Sequence, residues 1–328
     1  MTSSTEAPGV YSALRTAVAA AQQLGRSRRW VPALGSPSAA VWQAASRKWE
    51  TPEDALATTV AEADVHAIVL AQSGLEHADL VAVTVTKGLA HAPHTVARTA
   101  EEHLLRALHY LDPRAGDGEA GSRADQLAIA EIRFNQLLAN LKESDLLHGG
   151  VEKTAWAHLV DGKTVGDQWD ELHLRIAALG WEIKKTRSQG WRLAHTPGGR
   201  LSTMRLASIY LADADTSEFD GKTITQLITR TRGSSAHGYE TGLLSSSNIV
   251  AREDLPFAAL SINPQQMEPG TLAFNLMTVP ICVINTIDTL AIRFGWNEGK
   301  IFDDYVAKRS KMMAKWIDAV NVPTEDSL

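Results

Sequence analysis

Apolar residues recur three and four positions apart along most of the chain, and the runs are closed by glycine, proline and side-chain caps. Residues 10–24 read as a helix stopped at Gly25, followed by a basic, Pro- and Ser-rich connector over 26–38 that reads as an exposed loop. Thr51-Pro52-Glu53-Asp54 places a capping threonine before a proline and two acids in a first helical turn. The helix it opens is expected to reach about Gln72, with Ser73-Gly74 as its end. Residues 94–111 carry Val96, Ala100, Leu104, Leu108 and Leu111 at helical spacing, and Asp112-Pro113 closes them.

After a Gly-, Asp- and Ala-rich turn over 114–121, Ser122 is positioned to cap a long helix to about Lys142. Residues 164–179 form another, ended by Gly180. The stretch 181–201 changes character: Trp181, Ile183, Trp191 and Leu193 alternate between breaking glycines and Pro197, so a short hairpin or ordered loop is expected. Ser202 restarts a helix to about Leu211, and residues 222–230 read as one more. A mixed stretch runs to Asn263, Pro264 opens an apolar helix, and residues 298–320 form a final amphipathic one. The pattern predicts an all-α, multi-helix bundle with little strand and no internal repeat.

Composition narrows this picture. The chain has 328 residues, 44% of them hydrophobic and 21% charged, enough for a sizeable core. A net charge of −6 argues against non-specific binding along a nucleic-acid backbone, though a local basic site remains compatible with it. The single cysteine, Cys282, lies in an apolar run and reads as a packing thiol; it excludes an intrachain disulfide and a multi-cysteine zinc site. Residues 1–9 are polar and include Glu6, unlike a secretory signal. The apolar stretch 272–294 is interrupted by Asn275, Pro280, Asn285 and Asp288, which favours a buried core helix over a membrane span. The expected compartment is the cytoplasm, with no membrane partner.

Candidate chemistry collects in two places. On the helix over 94–111, Arg98, Glu102, Arg106 and then His109 or Tyr110 fall along one stripe. That stripe is either a solvated ion-pair face or the wall of a pocket, in which Arg106 binds an anionic group and His109 transfers a proton. Further on stands Arg232-Gly-Ser-Ser-Ala-His237-Gly238-Tyr239, a small polar segment suited to close approach by a ligand. Arg232 can stabilise phosphoryl or carboxylate charge and His237 can act as acid or base, with Ser234, Ser235 and Tyr239 beside them. The other reading of this segment has Ser234 and Ser235 capping a helix while His237 makes a core hydrogen bond. Glu62–His66 and Asp170–His173 each put two potential metal ligands on one helix face, but no complete carboxylate-histidine set accompanies them, so neither a metal nor a cofactor is expected. Nucleophile-elbow, phosphate-loop and dinucleotide motifs are absent from the sequence. Nine tryptophans read mostly as core anchors, a subset being available to line an aromatic pocket.

The segments ARTAEEHLLRALHYLDP (97–113) and RTRGSSAHGYETGL (230–243) together resemble uncharacterised bacterial helical proteins, and through them, distantly, the HEPN superfamily. That resemblance covers about residues 95–247. It implies an antiparallel helical bundle over 91–328 with an N-terminal helical extension over 1–90, commonly dimeric, whose active members are metal-independent ribonucleases with an arginine and a histidine four to six residues apart. Arg232 with His237, and Arg98 with His103, have that spacing. The superfamily usually places Asn, Asp or His directly after the arginine, where this chain has Gly233 and Thr99. Three functions follow: a ribonuclease acting through Arg232 and His237; a non-catalytic module binding RNA, a nucleotide or a protein partner; or a small-molecule enzyme of specialised metabolism whose pocket holds Glu102, Arg106, His109 and tryptophans.

Overall fold

A computed structural model describes residues 7–45, 49, 51–89, 92–112, 119–148, 165–186, 190–196, 201–211, 248–252, 259–263 and 269–320. Within them the helices are α1 (Ala7–Ser27), α2 (Pro37–Ala44), α3 (Pro52–Thr86), α4 (Ala92–Leu111), α5 (Arg123–His148), α6 (Val165–Ala178), α7 (Thr203–Tyr210), α8 (Pro269–Leu276), α9 (Thr278–Phe294) and α10 (Lys300–Val320). Two antiparallel hairpins complete the described elements: β1 (Ile183–Thr186) with β2 (Gly190–Leu193), and β3 (Asn248–Arg252) with β4 (Ala259–Asn263). The chain is an all-α multi-helix protein with minor hairpin inserts.

The local signals act as their chemistry dictates. Thr51 accepts from the Asp54 amide while the Asp54 carboxylate accepts from the Thr51 amide, closing a reciprocal cap on α3. Ser122 and Ser202 accept from the Asp125 and Arg205 amides at the starts of α5 and α7. The hairpin expected in 181–201 forms, with Ile183 opposite Leu193 and Lys185 opposite Trp191.

Three expectations are corrected. Helix α3 does not stop at Ser73-Gly74 but continues to Thr86. Gly74 marks its closest approach to α4: a Cβ there would lie 2.6 Å from Leu104 Cγ and 3.3 Å from the Ala100 carbonyl. The end of the connector after α1 is ordered into α2, because Ser36 accepts from the Ala39 amide and Pro37 supplies a preset first turn. The apolar helix near the C-terminal end is divided in two at Met277. Pro280 has no N–H to give the Leu276 carbonyl and its ring crowds that carbonyl, so α8 ends at Leu276.

Helices α3 and α4 form an antiparallel pair, with His66 against Tyr110, Gly74 against Leu104 and His77 against His103. Helix α9 lies across both, α5 flanks α3, and α1 packs between α3 and α10. The core is continuous from Leu14 and Leu24 through Leu75 and Leu104 to Cys282, Leu290 and Trp316. Cys282 is fully buried there. Two segments, Pro52–Thr86 and Leu272–Phe294, are long and apolar enough by composition to cross a membrane; here they pack on α4 and on each other.

One charged cluster sits inside this core. Arg293 of α9 donates through Nε to Asp64 of α3 at 3.1 Å and through Nη1 to Asp125 of α5 at 2.9 Å. Trp42 of α2 donates its indole N–H to the same Asp64. Four helices are thereby held in one register, since each charge is tolerable at this depth only beside its partner.

Candidate functional site

The stripe on α4 faces a cavity. Glu102, His103, Arg106, His109 and Tyr110 line a cleft of about 620 Å³ closed by His66 and Leu70 of α3, by Glu131, Ile132 and Asn135 of α5, and by Leu206 of α7. This is within the size range of cavities that hold small organic molecules. Arg98, at the start of the same stripe, is not among the lining residues. Its counterpart in the Arg-x4-His spacing, His103, is, so the two do not converge on the cleft. The segment with Arg232, Ser234, Ser235, His237 and Tyr239 lies outside the described residues, as does the helix expected over 222–230.

Arg106 and Glu102 form a pair one turn apart on the cavity wall: Nε and Nη2 both donate to Glu102 Oε1, at 3.1 and 2.8 Å. Only 15% of the arginine side chain is exposed, so the pair is better insulated from water than a surface bridge. Asn135 fixes the opposite wall, accepting from the Leu193 amide of β2 and donating to Thr196. Glu131 bonds the ring of His195.

His109 has the most constrained environment. Its Nδ1 lies 2.9 Å from the Tyr210 hydroxyl, and that hydroxyl donates its one proton to the Asp112 carbonyl. The imidazole must therefore donate in turn, so the proton resides on Nδ1 and the lone pair on Nε2. Burial lowers the His109 pKa to about 4, with a further push from the Arg106 charge that Asp112 partly counters. His66 is likewise lowered to about 4, by burial first and then by Arg133 and Arg106. His103 is shifted downward by burial and by neighbouring His77. The cleft thus presents three neutral imidazoles near neutral pH beside one arginine-glutamate pair.

A ring nitrogen that keeps its lone pair accepts a hydrogen bond or a proton from a ligand hydroxyl or N–H, and the Nδ1–H···Tyr210 bond holds the ring while it does so. Of the pairs with metal-ligand spacing, Glu62, His66 and His173 make other contacts. Glu62 takes a two-pronged bond from Arg175, His66 stacks edge-on against Tyr110, and His173 lies against Trp169. No group of three or more metal-ligating side chains occurs among the described residues.

Sequence reasoning missed His66 as a lining residue, although its helical spacing from Leu70 put both on one face of α3. It also missed Glu131 and Asn135, which nothing in the α5 pattern singles out. None of the described tryptophans lines this cleft; Trp42 lines a second, adjoining cavity. The chain matched no protein-family model, no curated protein and no solved structure.

Proposed function

We propose that this chain is a small-molecule enzyme that binds an organic substrate in the cleft between α3, α4 and α5 and moves a proton on it through His109. The observation that carries the reading is that Glu102, Arg106 and His109 share one cavity while Tyr210 holds the imidazole with its Nε2 lone pair available. In this role Arg106 orients an acceptor group of the substrate and Glu102 holds the guanidinium in place. A pKa near 4 makes this imidazole a weak base. Burial is the larger cause of that low value and the Arg106 charge the smaller, so an acceptor group of the substrate paired with Arg106 relieves only the smaller part.

A thermal-shift screen of metabolite-sized organic acids, alcohols and amines tests this on the full chain. Ligands found on the wild type are expected to lose their stabilising effect in Arg106→Leu. In His109→Gln they are expected to bind still, but with turnover abolished. Stabilisation of equal size in all three proteins would falsify the reading.

The ribonuclease alternative draws its support from the Arg232-x4-His237 spacing and from the helical architecture that the HEPN resemblance implies. It predicts metal-independent RNA cleavage that His237→Ala abolishes. Wild type and variant equally inactive toward RNA would remove it and leave, on that side, only the non-catalytic binding module.

A further inference from the structure

The cleft does not end at His66. A second cavity of about 470 Å³ shares that histidine as its wall and is lined by Trp42 of α2, Glu62, Val65 and Val69 of α3, and Arg133 of α5. Val65 and Val69, one turn apart, are 48% and 54% exposed, so an aliphatic strip stands open beside the half-buried indole of Trp42.

The charges at this corner do not cancel. Glu62 is committed to Arg175, which donates to both of its carboxylate oxygens at 3.0 and 3.1 Å and is itself anchored by Thr59 and by the Phe134 ring. Arg133 reaches the same carboxylate only at 4.0 Å, beyond hydrogen-bond range. Its Nε is buried and makes no hydrogen bond. Two guanidinium groups thus share one carboxylate, and the excess positive charge belongs to the arginine that lines the cavity. A buried donor without a partner carries a desolvation cost that a bound acceptor removes.

From this arrangement we infer that the second chamber holds the carboxylate of an amphipathic organic acid, paired with Arg133, while the acid's apolar body rests on Val65, Val69 and Trp42. A single arginine fork and one excess positive charge match a carboxylate; a phosphate dianion demands more donors than this wall offers. His66, neutral and flanked by Arg106 on one side and Arg133 on the other, is the threshold between the chambers. Resting on the function proposed above, the far end of the same molecule passes His66 and meets His109. The substrate class is then a carboxylic acid with an apolar body and a distal hydroxyl or N–H. The acid site itself stands independently of that second step.

The probes are 3-phenylpropionate and its uncharged counterpart 3-phenylpropan-1-ol. They are titrated into the full chain carrying 5-fluorotryptophan, with Trp42 among the nine fluorine resonances identified by Trp42→Phe. The acid is expected to shift the Trp42 resonance and the alcohol to bind far more weakly. Arg133→Met is expected to weaken the acid on the order of tenfold to a hundredfold and leave the alcohol unchanged, with Arg133→Lys between. Val69→Ser, at an exposed position that folding tolerates, is expected to weaken both probes. The inference is overturned if acid and alcohol bind alike, if Arg133→Met binds the acid as the wild type does, if Val69→Ser has no effect, or if neither probe moves Trp42 at millimolar concentration. Acid binding that depends on Arg133, together with turnover that His109→Gln leaves intact, supports the acid site and removes the proton-transfer role.

Discussion

His109 and Tyr210, 101 positions apart in the sequence, meet at 2.9 Å with the imidazole as donor. The direction of that bond is dictated from outside the pair, because the tyrosine proton goes to the Asp112 carbonyl. In nitrogen-detected NMR, His109 is expected to show a protonated Nδ1 and an unprotonated Nε2 at neutral pH. Tyr210→Phe removes the acceptor of the Nδ1–H and the hydroxyl that donates to the Asp112 carbonyl, and is expected to cost about 1–3 kcal/mol of stability in denaturant unfolding. The opposite tautomer in the wild type would refute the assignment.

Acid sensitivity follows from the two depressed imidazoles. His66 and His109 titrate near 4 in the folded chain against 6.5 for the free side chain. Between those values the unfolded chain binds more protons than the native one. The stability linked to these groups is therefore complete above about pH 6.5, is lost progressively as the pH falls, and is gone once it has passed through the folded value near 4. The slope is at most about 1.4 kcal/mol per pH unit per site, less at partly exposed His66. Unfolding free energies measured across that window should flatten in His66→Gln/His109→Gln; an unchanged slope would place the acid sensitivity elsewhere.

Arg293 is predicted to be among the costliest single positions to change. Arg293→Met leaves Asp64 and Asp125 facing each other in the core without their counter-charge, a loss on the order of 3–5 kcal/mol. Adding Asp64→Asn and Asp125→Asn should recover part of it. A triple variant less stable than the single one would show that the carboxylates hold the helices by other means.

The α3–α4 contact yields a steric test. Gly74→Ala gains about 1 kcal/mol of helix propensity but presses a methyl group into Leu104, at a cost of about 1–3 kcal/mol. It should destabilise the wild type. On a Leu104→Ala background, where only the Ala100 carbonyl at 3.3 Å still crowds the new methyl group, the same change should cost markedly less. Equal effects on both backgrounds would mean that the helices separate freely at this point.

The parts of the fold that could be read in advance depend on contacts within one turn. Thr51, Ser122 and Ser202 cap helices through bonds spanning three residues, so their roles are visible in the local sequence. Glu102, Arg106 and His109 share a helix face by spacing alone, and their common wall was legible for that reason. Gly74 resembled a helix end because its purpose, room for Leu104, lies on another helix. Arg133 is not marked out by the α5 pattern; its place beside an already occupied Glu62 becomes visible only when Arg175 is found on that carboxylate. Pro280 could have been read better, since a proline four residues after Leu276 already forbids one unbroken helix.

The pairing of α1 with α10 also bears on biosynthesis. Tyr11 packs edge-on against Trp316, and Lys315 bonds the Gly9 carbonyl across 306 positions. A ribosome adding about 5–20 residues per second makes these partners about 15–60 s apart. For that interval the side of α1 that α10 will cover is exposed to solvent and to neighbouring nascent chains. Chaperone demand during translation should therefore concentrate on α1 and ease once α10 emerges.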